Sequence, residues 1–228
     1  MGSSTFAIPL LFDGGTVLAY LRIVKAFLDA NPHEVLTLLF TNPEGASITG
    51  SGRNTWEGVF RQAGLIPRIF NPPSFPLRRT EWPTLRTLVE MDQRLIVFLD
   101  SGADRTRIPW ILPEFQVIWE TPFSQTNSSF PCRVDRTSGP LSPGDQMYLI
   151  NHSFNINIIP IAPGGVIISD PLQADGTNGA PSIIANIAEC APFAPTAGGQ
   201  SVAPNFVLID FVGRGEAFAA ADWLNGVG

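Results

Sequence analysis

The stretch Asp13–Glu44, DGGTVLAYLRIVKAFLDANPHEVLTLLFTNPE, decides how the rest of the chain reads. Val17, Leu21, Val24 and Leu28 recur at helical spacing, with Tyr20 and Phe27 broadening the same face. Residues 17–30 are therefore predicted to form an amphipathic helix, with Thr16 as its N-cap. Asn31 and Pro32 end it, because proline cannot continue a helix and restricts the residue before it. The run from Val35 to Phe40 is short and almost unbroken in its apolar character, as in a parallel strand covered on both faces. A helix feeding a strand through a tight turn is half of a βαβ unit. Thr41, Asn42 and Glu44 then stand at the carboxyl end of the strand, where α/β folds place their chemistry.

Upstream there is room for one short strand, roughly Thr5 to Leu11. Downstream, residues 43–81 are rich in Gly, Asn, Pro and Arg, with one helical piece around Thr55–Ala63. A helix over 84–91 and a buried strand over Arg94–Asp100 make a second αβ unit. Residues 108–115 read as helical or irregular because Pro109 and Pro113 interrupt them. Strands are predicted over Gln116–Trp119, ending at Glu120, over Met147–Asn151 and over Asn205–Phe211. Helices are predicted over Ser182–Glu189 and Gly215–Leu224; residues 121–146, 160–181 and 191–203 read as loops. Alternating helices and strands imply an α/β fold with a parallel sheet. No repeat or long linker divides the chain, which reads as a single domain over residues 1–228. The strand ends present Asn42, Glu44, Asp100, Glu120, Asn151, His152 and Asp210.

Composition narrows the functional class. A net charge of −6 argues against a nucleic-acid partner, which wants a basic surface. No apolar run reaches the ~20 residues that span a bilayer, and the first residues show neither the basic region nor the apolar length of a secretory leader. Cys132 and Cys190 are either a bridging pair or two buried thiols. Asn127-Ser128-Ser129 and Asn151-His152-Ser153 are glycosylation sequons or chance matches to a short pattern. Gly14-Gly15 and Gly50-Ser51-Gly52 make no phosphate loop, since no Gly-Lys-Ser/Thr follows, and Asp13 reads as a turn residue.

The string DGGTV, then FLDANPHEVLTLLFTN, resembles the phosphatidylinositol-phospholipase-C-like phosphodiesterases, in particular their secreted fungal branch. WPTLRTLVEMDQRLIVFLD (82–100), FQVIWETPFSQTNSSFPC (115–132), MYLINHSFN (147–155) and PNFVLIDF (204–211) extend the resemblance over most of the chain from Asp13 onward. It implies a TIM (β/α)8 barrel. With five later strands and one at the start, in an order matching the barrel's strands three to eight, this chain would be an incomplete barrel lacking about the first two strands. A whole barrel typically takes ~250 residues. The open edges of such a sheet would invite self-association. The resemblance also implies secretion, a phosphodiester or phospholipid head group as ligand, and hydrolysis of that phosphodiester.

Such chemistry uses two histidines, one as general base and one as general acid, because the imidazole titrates near neutral pH. The chain has two, His33 and His152. His33 follows Pro32 in the helix-to-strand turn, at the amino end. His152 lies at the chemical end, but in an NHSFN string unlike the family's histidine motifs. The family's THNSY-like and CHTSC-like strings are both absent; Phe6-Ala7-Ile8-Pro9 stands where the second would be. The chain is accordingly read as an N-terminally truncated member without hydrolytic activity of its own. By the same resemblance Asp210 corresponds to the carboxylate that orients a catalytic histidine, and Asn42, Glu44 and Asp100 to positions lining the head-group site. No cofactor is required, although Glu44, Asp100 and Glu120 offer the oxygen ligands a calcium ion would take. Two rivals remain: a non-catalytic barrel remnant that binds a sugar or inositol phosphate, and a glycoside hydrolase using two of Glu44, Asp100, Glu120 and Asp210.

Overall fold

The structure, a computed structural model, describes residues 5–8, 12–42, 55–159 and 166–227, with the backbone alone for 5–8 and 12–14. The chain folds as two compact units, one from its amino-terminal part through Phe75 plus Glu81–Glu114, the other from Pro76–Thr80 plus Phe115 onward.

In the first unit, β1 (Thr5–Ile8) and β2 (Phe12–Thr16) pair antiparallel, with Ala7 opposite Asp13. The strand expected over 5–11 is met by β1 at 5–8, and a second strand not expected from the sequence follows at 12–16, so that Asp13 lies in a strand rather than a turn. Gly14 and Gly15 depress strand propensity, so the second strand is legible only through its pairing.

Helix α1 (Val17–Ala30) follows directly, and the Thr16 side chain accepts from the Ala19 amide at 3.2 Å. Val17, Leu21, Val24 and Leu28 are its buried stripe, as the spacing predicts. Tyr20 and Phe27 are 47% and 42% exposed, so the face is narrower than expected. At the end of α1 both the backbone N–H and the side-chain amide of Asn31 donate to Phe27 O, at 2.9 and 2.8 Å. These bonds satisfy a carbonyl that the last turn would otherwise leave open.

Strand β3 (Leu36–Phe40) comes next, then α2 (Trp56–Ala63), α3 (Leu85–Glu90), β4 (Leu95–Leu99) and β5 (Ile111–Pro113). Thr55 and Thr84 cap α2 and α3 by accepting from Gly58 N and Thr87 N. Gly64 closes α2 at φ +72°, a conformation costly for any residue with a Cβ. The three strands are parallel in the order β3-β4-β5. Consequently β4, not β3, is the strand buried throughout; in β3 only Leu38 and Phe40 are fully buried. Strand β5 was expected to be helical or irregular. As an edge strand with Pro113 at its end it tolerates proline, which a central strand would not. Phe40, Trp56, Phe60 and Trp110 close this core edge to face, Phe60 and Trp110 with ring centroids 4.8 Å apart.

Arg94, just before β4, is 97% buried by its 3% exposure. Its guanidinium donates to Leu28 O, Asn31 O and Glu34 O at 3.0, 2.9 and 3.2 Å and to Asp92 at 2.9 Å. It caps the carboxyl end of α1 and the turn into β3, where cationic donors meet the negative end of the helix dipole.

The second unit is built on β6 (Ile118–Glu120) and β7 (Met147–Asn151). After β7 come the antiparallel pair β8 (Asn155–Ile159) and β9 (Val166–Ser169), then α4 (Ala174–Thr177) and α5 (Ala180–Cys190). The two-residue strands β10 (Thr196–Ala197) and β11 (Gln200–Ser201) pair next, before β12 (Phe206–Leu208) and α6 (Ala217–Asn225). Strands β12, β7 and β6 form a parallel sheet in that order, with β7 central and wholly buried. Trp119 stacks on Tyr148 at 4.7 Å, and the Tyr148 hydroxyl donates to Val202 O at 2.8 Å. Burial pushes that phenol up to about 12. The β8–β9 pair and α4 fall partly in the passage read as a loop over 160–181, where Pro and Gly masked the Val-Ile-Ile run. The structure is thus mixed α/β with parallel sheets, and among the described residues no closed barrel forms.

Candidate functional site

The carboxyl ends of the strands carry most of the residues singled out from the sequence, and each unit is described by itself. In the first, Asp100 follows β4 and Asn42 follows β3. Asn42 N donates to Asp100 Oδ1 at 2.7 Å, and Asn42 Nδ2 to Ser101 O at 3.1 Å. Parallel pairing of Phe40 with Leu99 brings these two ends together. Glu44 lies outside the described residues.

In the second unit, Glu120 closes β6 and Asn151 closes β7, one strand apart. Glu120 is buried, paired with the Arg136 guanidinium, and accepts from Asn151 Nδ2 at 3.0 Å. Asn151 also donates to Thr121 O at 2.8 Å, and its backbone N–H to Thr121 Oγ1 at 2.8 Å. Arg136 comes from the long loop after β6 and lies over the rings of Phe115 and Phe123, at 5.1 and 4.5 Å. Its charge offsets that of the buried carboxylate, whose desolvation would otherwise go uncompensated. Asn151, the second sequon asparagine, is a structural tie, its amide engaged by Glu120 and Thr121.

His152, the next residue, is fully buried. Asn186 Nδ2 donates to Phe130 O at 2.8 Å, which turns Asn186 Oδ1 toward the imidazole; His152 Nδ1–H then donates to it at 3.0 Å. Nε2 lies 2.9 Å from Thr177 O and 3.1 Å from the Ser182 hydroxyl; the carbonyl only accepts, so that bond forms when Nε2 carries a proton, while a bare Nε2 accepts from Ser182 instead. The Phe130 ring covers the imidazole at 4.1 Å. Burial holds the His152 pKa below its ordinary value, against the opposing pull of Asn186 and the Thr177 carbonyl. The ring joins β7 to α5 and the Phe130 loop, and has no face open to a ligand.

Asp210, just beyond β12, accepts from Ser169 Oγ, while its backbone carbonyl accepts from Asn178 Nδ2 at 2.7 Å. Asn178 also donates to Phe211 O and Arg214 O, pinning the chain between β12 and α6. Asp210, Asp170, Ser153 and Thr177 line a cavity of about 10 Å³. That is room for one water and not for a head group. Neither histidine hydrogen-bonds the Asp210 carboxylate among the described residues. Nor do the described residues hold a group of three or more His, Cys, Asp or Glu side chains arranged for a metal. The calcium set expected from Glu44, Asp100 and Glu120 finds no support in this donor chemistry, because Arg136 and Asn151 already occupy Glu120.

Cys132 and Cys190 form a disulfide, with Sγ–Sγ 2.02 Å, joining the long loop to the end of α5. Arg136, Ser169, Asn178 and Asn186 escaped the sequence reading. All but Asn186 lie in aperiodic stretches, and Asn186 sits on a buried helix face where an apolar residue is the usual occupant. The Asn178-Gly179 pair carried a turn signal, and nothing more.

Similarity to known proteins bears on the family of the chain. The family model described as PI-PLC X 1 matches residues 6–225. A PI-PLC X domain-containing protein 1 of Arthroderma benhamiae is 38% identical over 96% of this chain and 67% of its own length. An uncharacterized secreted protein of the same organism is 31% identical over 95% of this chain and 48% of its own. A PI-PLC X domain-containing protein of Arabidopsis thaliana is 27% identical over 90% and 44% respectively. The chain thus spans about two thirds of the first relative and about half of the other two. No solved structure matches it. Since the family model covers almost the whole sequence and these relatives align with nearly all of it, the chain belongs to the PI-PLC X domain family.

Proposed function

We propose that the chain is a phospholipase-C-like phosphodiesterase domain, an incomplete (β/α)8 barrel over residues 1–228, that does not itself hydrolyse phosphodiesters. The observation that carries this reading is the placement of its two histidines. His152 is sealed beneath Phe130 with both ring nitrogens engaged, and His33 is exposed in the turn ahead of β3. General acid–base catalysis needs a proton-transfer group within hydrogen-bond reach of the substrate; His152 is closed to one, and His33 stands ahead of β3, at the opposite end from the carboxyl ends where α/β folds place their chemistry. The disulfide and the secreted relative support an extracellular location, since disulfides persist in oxidising compartments.

Binding without turnover is the second reading, favoured by Arg136. Its side chain is 33% exposed at the carboxyl end of β6, beside Phe123, and is a cation that a phosphate head group could meet. The glycoside-hydrolase alternative loses ground, because Glu120 is committed to Arg136 and Asn151. Self-association through the edge strands β3, β5, β6 and β12 is a further part of the proposal, read by light scattering. The test incubates the purified chain with a soluble inositol phosphodiester and follows it by phosphorus NMR. An unchanged diester signal supports the proposal. A growing monoester signal refutes it, and line broadening without conversion favours the binding reading.

A further inference from the structure

Two sequons stand in this chain, and the structure treats them in opposite ways. Asn151 is buried with its amide donating to Glu120 and Thr121. Asn127 is exposed, in the loop between β6 and the disulfide-bonded Cys132. Its Oδ1 accepts from both the Ser129 amide and the Ser129 hydroxyl, each at 2.9 Å. Among the described residues no hydrogen bond occupies its Nδ2. The loop turns back on itself through Phe130 N donating to Asn127 O at 3.1 Å, so Asn127 opens a turn whose tip is Ser128 and Ser129.

From this contrast we propose that Asn127 is the N-glycosylation site of the chain. The reaction joins Asn127 Nδ2 to the anomeric carbon of an oligosaccharide donated by a lipid pyrophosphate. The lipid pyrophosphate leaves and the amide loses one proton. The Ser129 hydroxyl, donating to Oδ1, draws electron density from the carbonyl and so eases loss of that proton. A bulky polar glycan on this exposed turn displaces no packed group. The same addition at Asn151 would break the tie between β6 and β7, so chains modified there would not reach the folded state. A disulfide a few residues away fits the same oxidising compartment.

This inference rests on the passage through the secretory pathway proposed above. The test therefore supplies that passage: the full chain is fused to a cleavable secretory leader and expressed in a eukaryotic host, beside the native sequence without a leader. Failure of the leaderless chain to leave the cell bears on secretion alone. Glycosylation is read from the leader-bearing chain, both secreted and retained, by enzymatic deglycosylation and peptide mass mapping. The expected result is one N-glycan on the secreted chain, at Asn127, lost in both Asn127→Gln and Ser129→Ala. Both substitutions fall at exposed loop positions, so the variants should still be secreted. A secreted or retained chain with Asn127 unmodified, or a secreted chain with its glycan on Asn151, would overturn the proposal.

Discussion

Replacing Arg94 by methionine is a stringent test of the first unit. Methionine keeps much of the aliphatic volume and removes the guanidinium, so the perturbation is mainly polar. Three backbone carbonyls lose a donor: Leu28 O, Asn31 O and Glu34 O. Asn31 O retains the Glu34 amide at 3.2 Å, which leaves Leu28 O and Glu34 O as the groups set to be orphaned. Hydrogen bonds to charged groups contribute about 1.5–3 kcal/mol each, and stranding a buried polar group costs about 1–3 kcal/mol. With partial relaxation the expected loss is about 3 kcal/mol. For a chain of this size that is a fall in Tm of roughly 6–12 °C. Arg94→Lys, with a single ammonium on a shorter reach, should fall between the two. Asp92→Asn removes the ion pair to Arg94 but leaves the three carbonyls capped. Asp92 is largely exposed, so the cost should stay below about 1 kcal/mol. Urea unfolding followed by tryptophan fluorescence reads all three. A loss below about 1 kcal/mol in Arg94→Met would refute the assignment of Arg94 as the cap of α1.

Two further outcomes follow from the second unit. The Cys132–Cys190 bridge spans 58 residues, and the loop-closure relation gives about 4 kcal/mol of stabilisation for a loop of that size; unfolding with and without reductant should differ by about that amount. His152 should make stability depend on pH. Its folded pKa lies below the ordinary 6.5, so below pH 6.5 the unfolded chain takes up a proton before the folded one does. Tm should therefore fall as pH drops from about 7 toward 5. The slope should flatten in His152→Gln, a variant of lower stability throughout; an unchanged slope would contradict the burial argument.

The sequence was most informative where local signals and tertiary packing agree. Thr16, the four-residue stripe of α1 and the Asn31-Pro32 stop give that helix its limits, and the structure reproduces them. Strand β4 was legible because Leu95–Leu99 is apolar on both faces. Strand β2 was not, because its two glycines have no strand preference and its existence depends on pairing with β1. Strand β5 was hidden by prolines that an edge position tolerates. The same limit governs the site. That Asn42 lies beside Asp100 follows from β3 and β4 ending nearly level, whereas Asn151 stands two residues beyond Leu149, the partner of Glu120, and its side chain reaches back. That Arg136 neutralises Glu120, or that Phe130 and Asn186 seal His152, depends on long-range contacts that no spacing encodes. His152 illustrates the consequence: its position at a strand's carboxyl end suggested chemistry, and its burial makes it a brace.

The central claim is that this chain carries the fold of a PI-PLC X domain without a usable acid–base pair. Its most direct test is turnover of phosphatidylinositol in vesicles, measured from roughly pH 5 to 8, the range over which an imidazole titrates. The wild-type chain would be run beside His33→Gln and His152→Gln. The account predicts product release indistinguishable from the enzyme-free blank for all three at every pH. Turnover above the blank that falls when either histidine is replaced would contradict it.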